Sequence, residues 1–264
     1  MSNTFIPLFV DDESISSFCS KFCISNSDFK KAMYTKEQLN AIYIDFLTKK
    51  DILTKNLNLI ENSLKKCDKV HSISARAKDP EHLIEKIIRK TNESNKRYTI
   101  ENYFLEITDL IGIRLLYVFK EDFPEIHQFI QSEFLDRIKE KIACVRQGDK
   151  TEIYEGLDLK IEKRNGYRSV HYIIDTEDSL CCEIQVRTLT EEAWGEIDHS
   201  IRYPYNKNNQ KLTVFDDIMS NITGTLDDLS SFAYNYLLDT KNKQNEGRSF
   251  NEVFIDFLKE TKVK

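Results

Sequence analysis

A chain of 264 residues, 40% hydrophobic and 31% charged, has a globular composition with room for one large domain plus additions. Its formal net charge of -6 excludes a protein that coats nucleic acid with a basic surface, but leaves room for a local basic pocket for phosphates. No apolar run is long enough to span a bilayer, and MSNTFIPLFVDDES at the start lacks the basic lead of a secretion signal, so a cytoplasmic location away from membranes is expected.

The six scattered cysteines are then expected as thiols, and Cys19 with Cys23 lacks the second ligand pair of a metal site. Residues 1–69 read as a helical extension, because TKEQLNAIYIDFLTKKDILTKNLNLIENSLKKC carries apolar residues at helical spacing. A helix start follows at Asp79-Pro80, where Asp79 caps and Leu83, Ile84, Ile87 and Ile88 make the buried stripe. His82, Lys86 and Arg89 or Lys90 share one face of that helix, and Arg76 and Lys78 precede it. The set suits a polyphosphate, and it also suits a plain solvated face.

DLIGIRLLYVF, residues 109–119, reads as a strand. Strict alternation separates Asp109 from Arg114, and Gly112 between them signals a bulge or a close approach to a ligand. An acid opening such a strand is either a magnesium ligand or a turn aspartate. EDFPEIHQFIQSEFLDRIKEKI reads as helix with a break near Pro124. Shorter strands are expected around 143–146, in SVHYIIDT and in CCEIQVRT, with a tight turn at Asn165-Gly166. Tyr167, Ser169 and His171 share one face, a pattern able to stack on a base and bond to phosphate or ribose. Glu183, Gln185 and Arg187 line one face of the last strand. An acid for a metal and a base for phosphate serve phosphoryl transfer, while a ladder of ion pairs on a wet sheet has the same pattern. Residues 189–203, 212–238 and 249–260 read as helices, with a polar linker in DTKNKQNEGRS. The element order gives an α/β (α+β) class: a mixed sheet flanked by helices, with helical extensions at 1–69 and 206–264 around a domain at 70–205.

In order, ARAKDPEHLIEKIIRK, DLIGIRLLYVF, NGYRSVHY and EIQVRTLTEEAWGEIDH resemble the synthetase domain of the RelA/SpoT family. The resemblance implies a nucleotidyltransferase-like fold and an ATP-dependent pyrophosphokinase, which moves the β,γ-pyrophosphate of ATP to the 3′-hydroxyl of GDP or GTP and releases AMP. It assigns Arg76, Lys78, Lys86, Arg89 and Arg114 to ATP, and Asp109 and Glu183 to Mg²⁺, with Glu183 also taking the proton of the attacking hydroxyl. Lys163, Tyr167, His171, Gln185 and Arg187 fall to the acceptor, with Asp198 and His199 in support. Trp194 is read as core packing.

The sequence departs from the family in EGLDLKI, residues 155–161, where family members carry a basic-Asp-Tyr segment, and at Glu192, where small members often have Asn. These changes fall on the acceptor side. They leave open a toxin-type relative acting on an adenine nucleotide or the 3′ end of tRNA, paired with a neutralising antitoxin, with Lys139, Lys141, Arg146 and Lys150 as candidate tRNA contacts. A catalytically silent nucleotide-binding regulator is a further alternative, disfavoured by the presence of Asp109 and Glu183. The chain contains no His-Asp dipeptide, so the family's hydrolase activity is not expected. The length matches a small, stand-alone synthetase, and the helical ends suggest a homo-oligomer.

Overall fold

The computed structural model describes residues 5–202, 209–241 and 250–261. Four helices open the chain: α1 (Asp12–Lys21), α2 (Asn26–Lys31), α3 (Lys36–Thr48) and α4 (Lys50–Leu64). Three have side-chain caps at their starts, from Asp11, Ser25 and Thr35. Then come β1 (Ser72–Ala77), α5 (Pro80–Ser94), the single turn α6 (Tyr103–Glu106), β2 (Ile111–Tyr117), α7 (Phe123–Phe134) and β3 (Ile138–Arg146). β4 (Lys160–Arg164), β5 (Ser169–Asp175), β6 (Cys181–Thr188), α8 (Leu189–Ile201), α9 (Gln210–Lys241) and α10 (Phe250–Thr261) complete the order.

The six strands form one sheet in the order β1-β2-β6-β5-β3-β4. The pairs β2/β6 and β3/β4 are parallel and the other three antiparallel, so the sheet is mixed as expected. Asp79 accepts from the backbone N–H groups of Glu81 and His82, Pro80 opens α5, and the stripe Leu83, Ile84, Ile87 and Ile88 is buried. Along β2 the buried residues Ile111, Ile113, Leu115 and Tyr117 alternate with half-buried Gly112, Arg114 and Leu116, so one face feeds the core and the other faces the site. Buried side chains from Phe9 through Leu64 join those of the sheet in one continuous core, so the N-terminal helices share the core of the domain they flank.

Several expectations change. Pro124 lies in the first turn of α7, where a missing N–H costs nothing, and does not break it. Residues 138–142 belong to β3, not to the end of a helix. β1 and β4 were not anticipated. They are the two edge strands, short and rich in polar residues, with little apolar alternation to announce them. Asn165-Gly166 makes the expected tight turn, with the Tyr167 N–H donating to Asn165 O at 2.8 Å, but it joins no hairpin, because β3 lies between β4 and β5. Gly112 sits in continuous register with β1 and β6, without a bulge.

β6 runs directly into α8 through a capping box between Thr188 and Glu191. α9 packs along α8 and turns a polar face inward: Asp216, Ser220, Thr223 and Asp227 are buried. Its outer face exposes Val214, Phe215, Ile218, Ile222 and Leu226, the reverse of an ordinary surface helix. Of the expected closing segments, 242–249 lies outside the described residues, as does 203–208. No helix among the described residues is long and apolar enough to cross a membrane.

Candidate active site

Register builds the site in rows. Arg76, Gly112 and Glu183 stand side by side across β1, β2 and β6, and Ser74, Arg114, Gln185 and His171 form the next row through β5. Residues paired across neighbouring strands share a face, so both rows look into the same space. A cavity of about 630 Å³ opens over them, lined by Arg76, Lys78, Arg89, Asp109, Arg114, Glu183, Gln185, His199 and Arg202 among others. Asp109 precedes β2 by two residues and escapes its alternation, so it shares the cavity with Arg114. A Cβ on Gly112 would meet nothing within 4 Å, so the glycine leaves open space beside Glu183.

Carboxylates hold most of the cations. Lys78 and Lys86 both donate to Asp109 Oδ2, at 2.9 and 2.8 Å. Arg89 bonds Glu85 at 2.8 Å and faces Glu93. Arg114 bonds Glu192 at 2.8 Å and also Glu196. Arg202 joins Asp198 at 2.6 Å and Asp216 at 3.0 Å. Arg76 is exposed at the cavity edge and has no ion pair among the described residues. His82, grouped with the basic helix face in the sequence, packs edge-on against Phe22 with centroids 5.0 Å apart, and its burial pushes its pKa down.

Burial pushes the Asp109 carboxyl up, but Lys78 and Lys86 outweigh it and hold the pKa at about 2. Asp109 Oδ1 is buried with no hydrogen-bond partner among the described residues, an orphaned acceptor in a cavity. Glu183 is also kept below the ordinary carboxylate value: burial raises it, and its hydrogen-bonded contact with His171 more than offsets this. Both groups are ionised at neutral pH. The described residues contain no cluster of three or more His, Cys, Asp or Glu able to hold a metal alone. Mg²⁺ commonly takes one or two carboxylates and completes its shell with water and substrate phosphates, so Asp109 and Glu183 fit it.

The acceptor-side residues are brought together, except one. Tyr167 Oη lies 2.8 Å from His171 Nε2, and His171 Nδ1 lies 2.8 Å from Glu183 Oε1. Gln185 donates to Glu183 Oε2 at 3.1 Å. Arg187 is buried and uses four N–H groups, on Ser169, Glu192, Tyr167 and Gln185, so it organises the wall and is not a free phosphate ligand. Lys163 stands apart. Its partner Val145 and the next row, Glu162 with Cys144 and Ser169, place Lys163 on the face opposite His171. Arg164 takes the site face, its guanidinium 5.8 Å from the Tyr167 ring centre. A one-residue choice on an edge strand cannot be made without the register.

Three further residues went unnoticed as site members: Arg164, Arg202 and Ser74. The spacing of Asp198 and Arg202, four apart on α8, was the available signal for Arg202. Asp198 supports the cavity through Arg202, and His199 lines it directly. Asp158, from the divergent 155–161 segment, is exposed outside the cavity and pairs with Lys141 at 2.6 Å. Trp194 packs beside Tyr167, centroids 5.9 Å apart, and lies against Gly166.

The model of a region found in RelA and SpoT proteins matches residues 75–208, which include the second half of β1, the other five strands and the cavity-lining helices α5 and α8. The chain belongs to the RelA/SpoT family. Among curated RelA/SpoT relatives, GTP pyrophosphokinase YwaC of Bacillus subtilis is 26% identical over 172 residues, 62% of this chain and 71% of that protein. GTP pyrophosphokinase YjbM of the same organism is 24% identical over 146 residues, 53% of this chain and 59% of its own length. The fold matches a crystal structure of small alarmone synthetase 1 from Bacillus subtilis bound to its product pppGpp, with a TM-score of 0.51 and 21% identity. That match covers 70% of this chain and 93% of the other. A second structure of the same synthetase gives a TM-score of 0.50 at 19% identity, covering 71% and 94%.

Proposed function

We propose that this RelA/SpoT protein transfers the β,γ-pyrophosphate of ATP to the 3′-hydroxyl of a guanine nucleotide, GDP or GTP. The observation that carries the reading is the pair Asp109 and Glu183, both ionised and facing one cavity rimmed by Arg76, Lys78, Arg89 and Arg114. Two polyphosphates repel each other strongly, and only a cleft dense in cations brings them into contact. Mg²⁺, which Asp109 and Glu183 would hold, would supply charge neutralisation to the reacting phosphates.

The chain's own residues do the rest. Arg76 meets the donor first, having no carboxylate to leave. Lys78 and Lys86, pre-positioned on Asp109, share their charge with the phosphates. Tyr167 and Arg164 form the wall that receives the acceptor. The acceptor oxygen bonds to the β-phosphorus, the bond from that phosphorus to the α-bridging oxygen breaks, and AMP leaves. The hydroxyl proton passes to Glu183.

The other acceptors are separated by the same assay. Of Lys139, Lys141, Arg146 and Lys150, offered to tRNA by the sequence, the first three are already paired with Asp175, Asp158 and Asp149, and Lys150 alone of the four has no ion pair among the described residues, which leaves little basic surface for a nucleic-acid backbone. A larger cleft of about 850 Å³ near Arg146 is no richer in free charge, because Lys120, Arg146 and Arg168 there are held by Asp228 and Asp149, which leaves Lys150 as its one cation without an ion pair among the described residues. Purified protein is incubated with γ-labelled ATP, Mg²⁺ and, in turn, GDP, GTP, ADP and deacylated tRNA. Label on a guanine nucleotide is expected, and Asp109→Asn is expected to lower the rate by about 100-fold or more. Label on ADP or tRNA alone would replace the acceptor, and label on none would end the reading as an enzyme.

A further inference from the structure

The hydrogen bonds around Glu183 have a direction. Arg187 can only donate, so Tyr167 Oη, 2.6 Å from Arg187 Nη2, accepts and turns its own proton to His171 Nε2. His171 then carries its proton on Nδ1 and donates it to Glu183 Oε1. A second chain starts on the same guanidinium: Nη2 donates to Gln185 Oε1 at 2.8 Å, and Gln185 donates to Glu183 Oε2. Both oxygens of Glu183 are thus oriented by two chains with one origin, and chains of donors reinforce one another in a dry environment.

That origin is tied to the neighbouring strand β2. Glu192 takes Arg187 Nη1 on Oε2 and Arg114 Nη1 on Oε1, both at 2.8 Å. The Glu192 side chain is only 14% exposed, so its charge needs these partners. Arg114 lines the cavity on the donor side and Arg187 lies behind the acceptor wall. Glu196 also holds Arg114 but does not reach Arg187.

We propose that Arg114, Glu192 and Arg187 form a bridge that couples donor occupancy to the acceptor wall, with Glu192 as its positioning residue. The inference rests on the function proposed above. A polyphosphate in the cavity draws the Arg114 guanidinium toward itself. Glu192 then gives its charge to Arg187 alone, and Arg187 holds Tyr167 and Gln185 more firmly. Glu183 is fixed by both chains, and the acceptor meets a wall that has less freedom left to lose. The donor therefore tightens binding of the acceptor, and by linkage the acceptor tightens binding of the donor.

The test is calorimetric titration of GDP into the protein with Mg²⁺, with and without a saturating non-hydrolysable ATP analogue, and the reverse titration. The wild type is expected to bind GDP about 5- to 50-fold more tightly with the analogue present. Glu192→Gln keeps the shape but loses the charge, and is expected to bring that ratio within about twofold of unity, with kcat falling further than the acceptor KM rises. Glu196→Gln, which removes the other carboxylate on Arg114 and leaves the bridge intact, is expected to bind the analogue at least as tightly as wild type and to keep the ratio, which a general loss of structure would not do. Circular dichroism and the melting temperature establish that each variant is folded. If Glu192→Gln fails that check, Arg114→Lys is expected to lower the ratio in its place, since a lone ammonium lacks the planar fork with which arginine can keep Glu192 on one nitrogen while another turns to a phosphate. An unchanged ratio in the folded variant, or no ratio in a wild type that binds both nucleotides, overturns the bridge alone. A wild type that binds neither nucleotide overturns the proposed function and the bridge with it.

Discussion

Arg76 and Lys78 stand two residues apart, yet they meet the cavity in different electrical states. Lys78 is spent on Asp109, while Arg76 has no ion pair among the described residues. Arg76→Ala is therefore expected to raise the ATP KM about tenfold with kcat changed less than about threefold, the mark of lost ground-state binding, in steady-state kinetics. The adjacent Lys163 and Arg164 differ by face. Arg164→Ala is expected to raise the acceptor KM about three- to tenfold, as suits a cation near a stacking ring, and Lys163→Ala to leave it within about twofold. Equal effects in the same assay would contradict the strand register.

At the scale of elements, the contact of α8 and α9 with the sheet is the point of strain. Gly166 has φ +70°, and an added Cβ would lie 3.1 Å from the Trp194 ring and 3.2 Å from Asp216. Gly166→Ala is expected to cost about 1–3 kcal/mol in urea unfolding, because neither the backbone nor its neighbours accept a side chain. Next to it, burial and the charge of Asp198 raise Asp216 from 3.8 to about 6. An acid raised on folding binds its proton more tightly in the native state. The stability it confers is complete below the unfolded value and declines as pH climbs from about 4 to about 6. Asp216→Asn, neutral throughout, is expected to be more stable than wild type by about 1–2 kcal/mol at pH 7.5, with the difference vanishing near pH 4. The loss of its contact to Arg202 keeps the gain below the full shift. Melting temperatures at the two pH values check the sign.

The whole molecule is acidic, at -6, while five cationic side chains, Arg76, Lys78, Arg89, Arg114 and Arg202, line its cavity. Placement, not total charge, sets the ligand class. The reversed face of α9 sets a second whole-molecule property. Phe215, Ile218 and Ile222 follow the three-four spacing of a helical seam, with Val214 and Leu226 beside them. Five large apolar residues about half exposed present on the order of 450 Å² per copy, near the apolar share of a standard two-fold interface. The homo-oligomer expected from the sequence is proposed to form here. Ile222→Glu is expected to shift sedimentation from dimer or higher to monomer at micromolar concentration. A wild type that sediments as a monomer would remove the proposal.

Some of this was fully legible in the chain. The apolar stripe of α5, the cap at Asp79 and the alternation in β2 and β6 are local patterns, and local patterns persist in any context that buries them. The residue types for phosphate and metal chemistry were equally plain, since an acid or a guanidinium carries its chemistry wherever it lies. The edge strands β1 and β4 were hidden, because a strand with one neighbour and a wet face needs no apolar run. Partnership was hidden too. Only the packed sheet decided that Lys163 turns away and Arg164 turns in, that Arg187 is an organiser and that Glu192 spans two arginines. Strand register flips a side chain with each single step, and hydrogen bonds are settled at tenths of an ångström, so both depend on contacts between residues far apart in the chain.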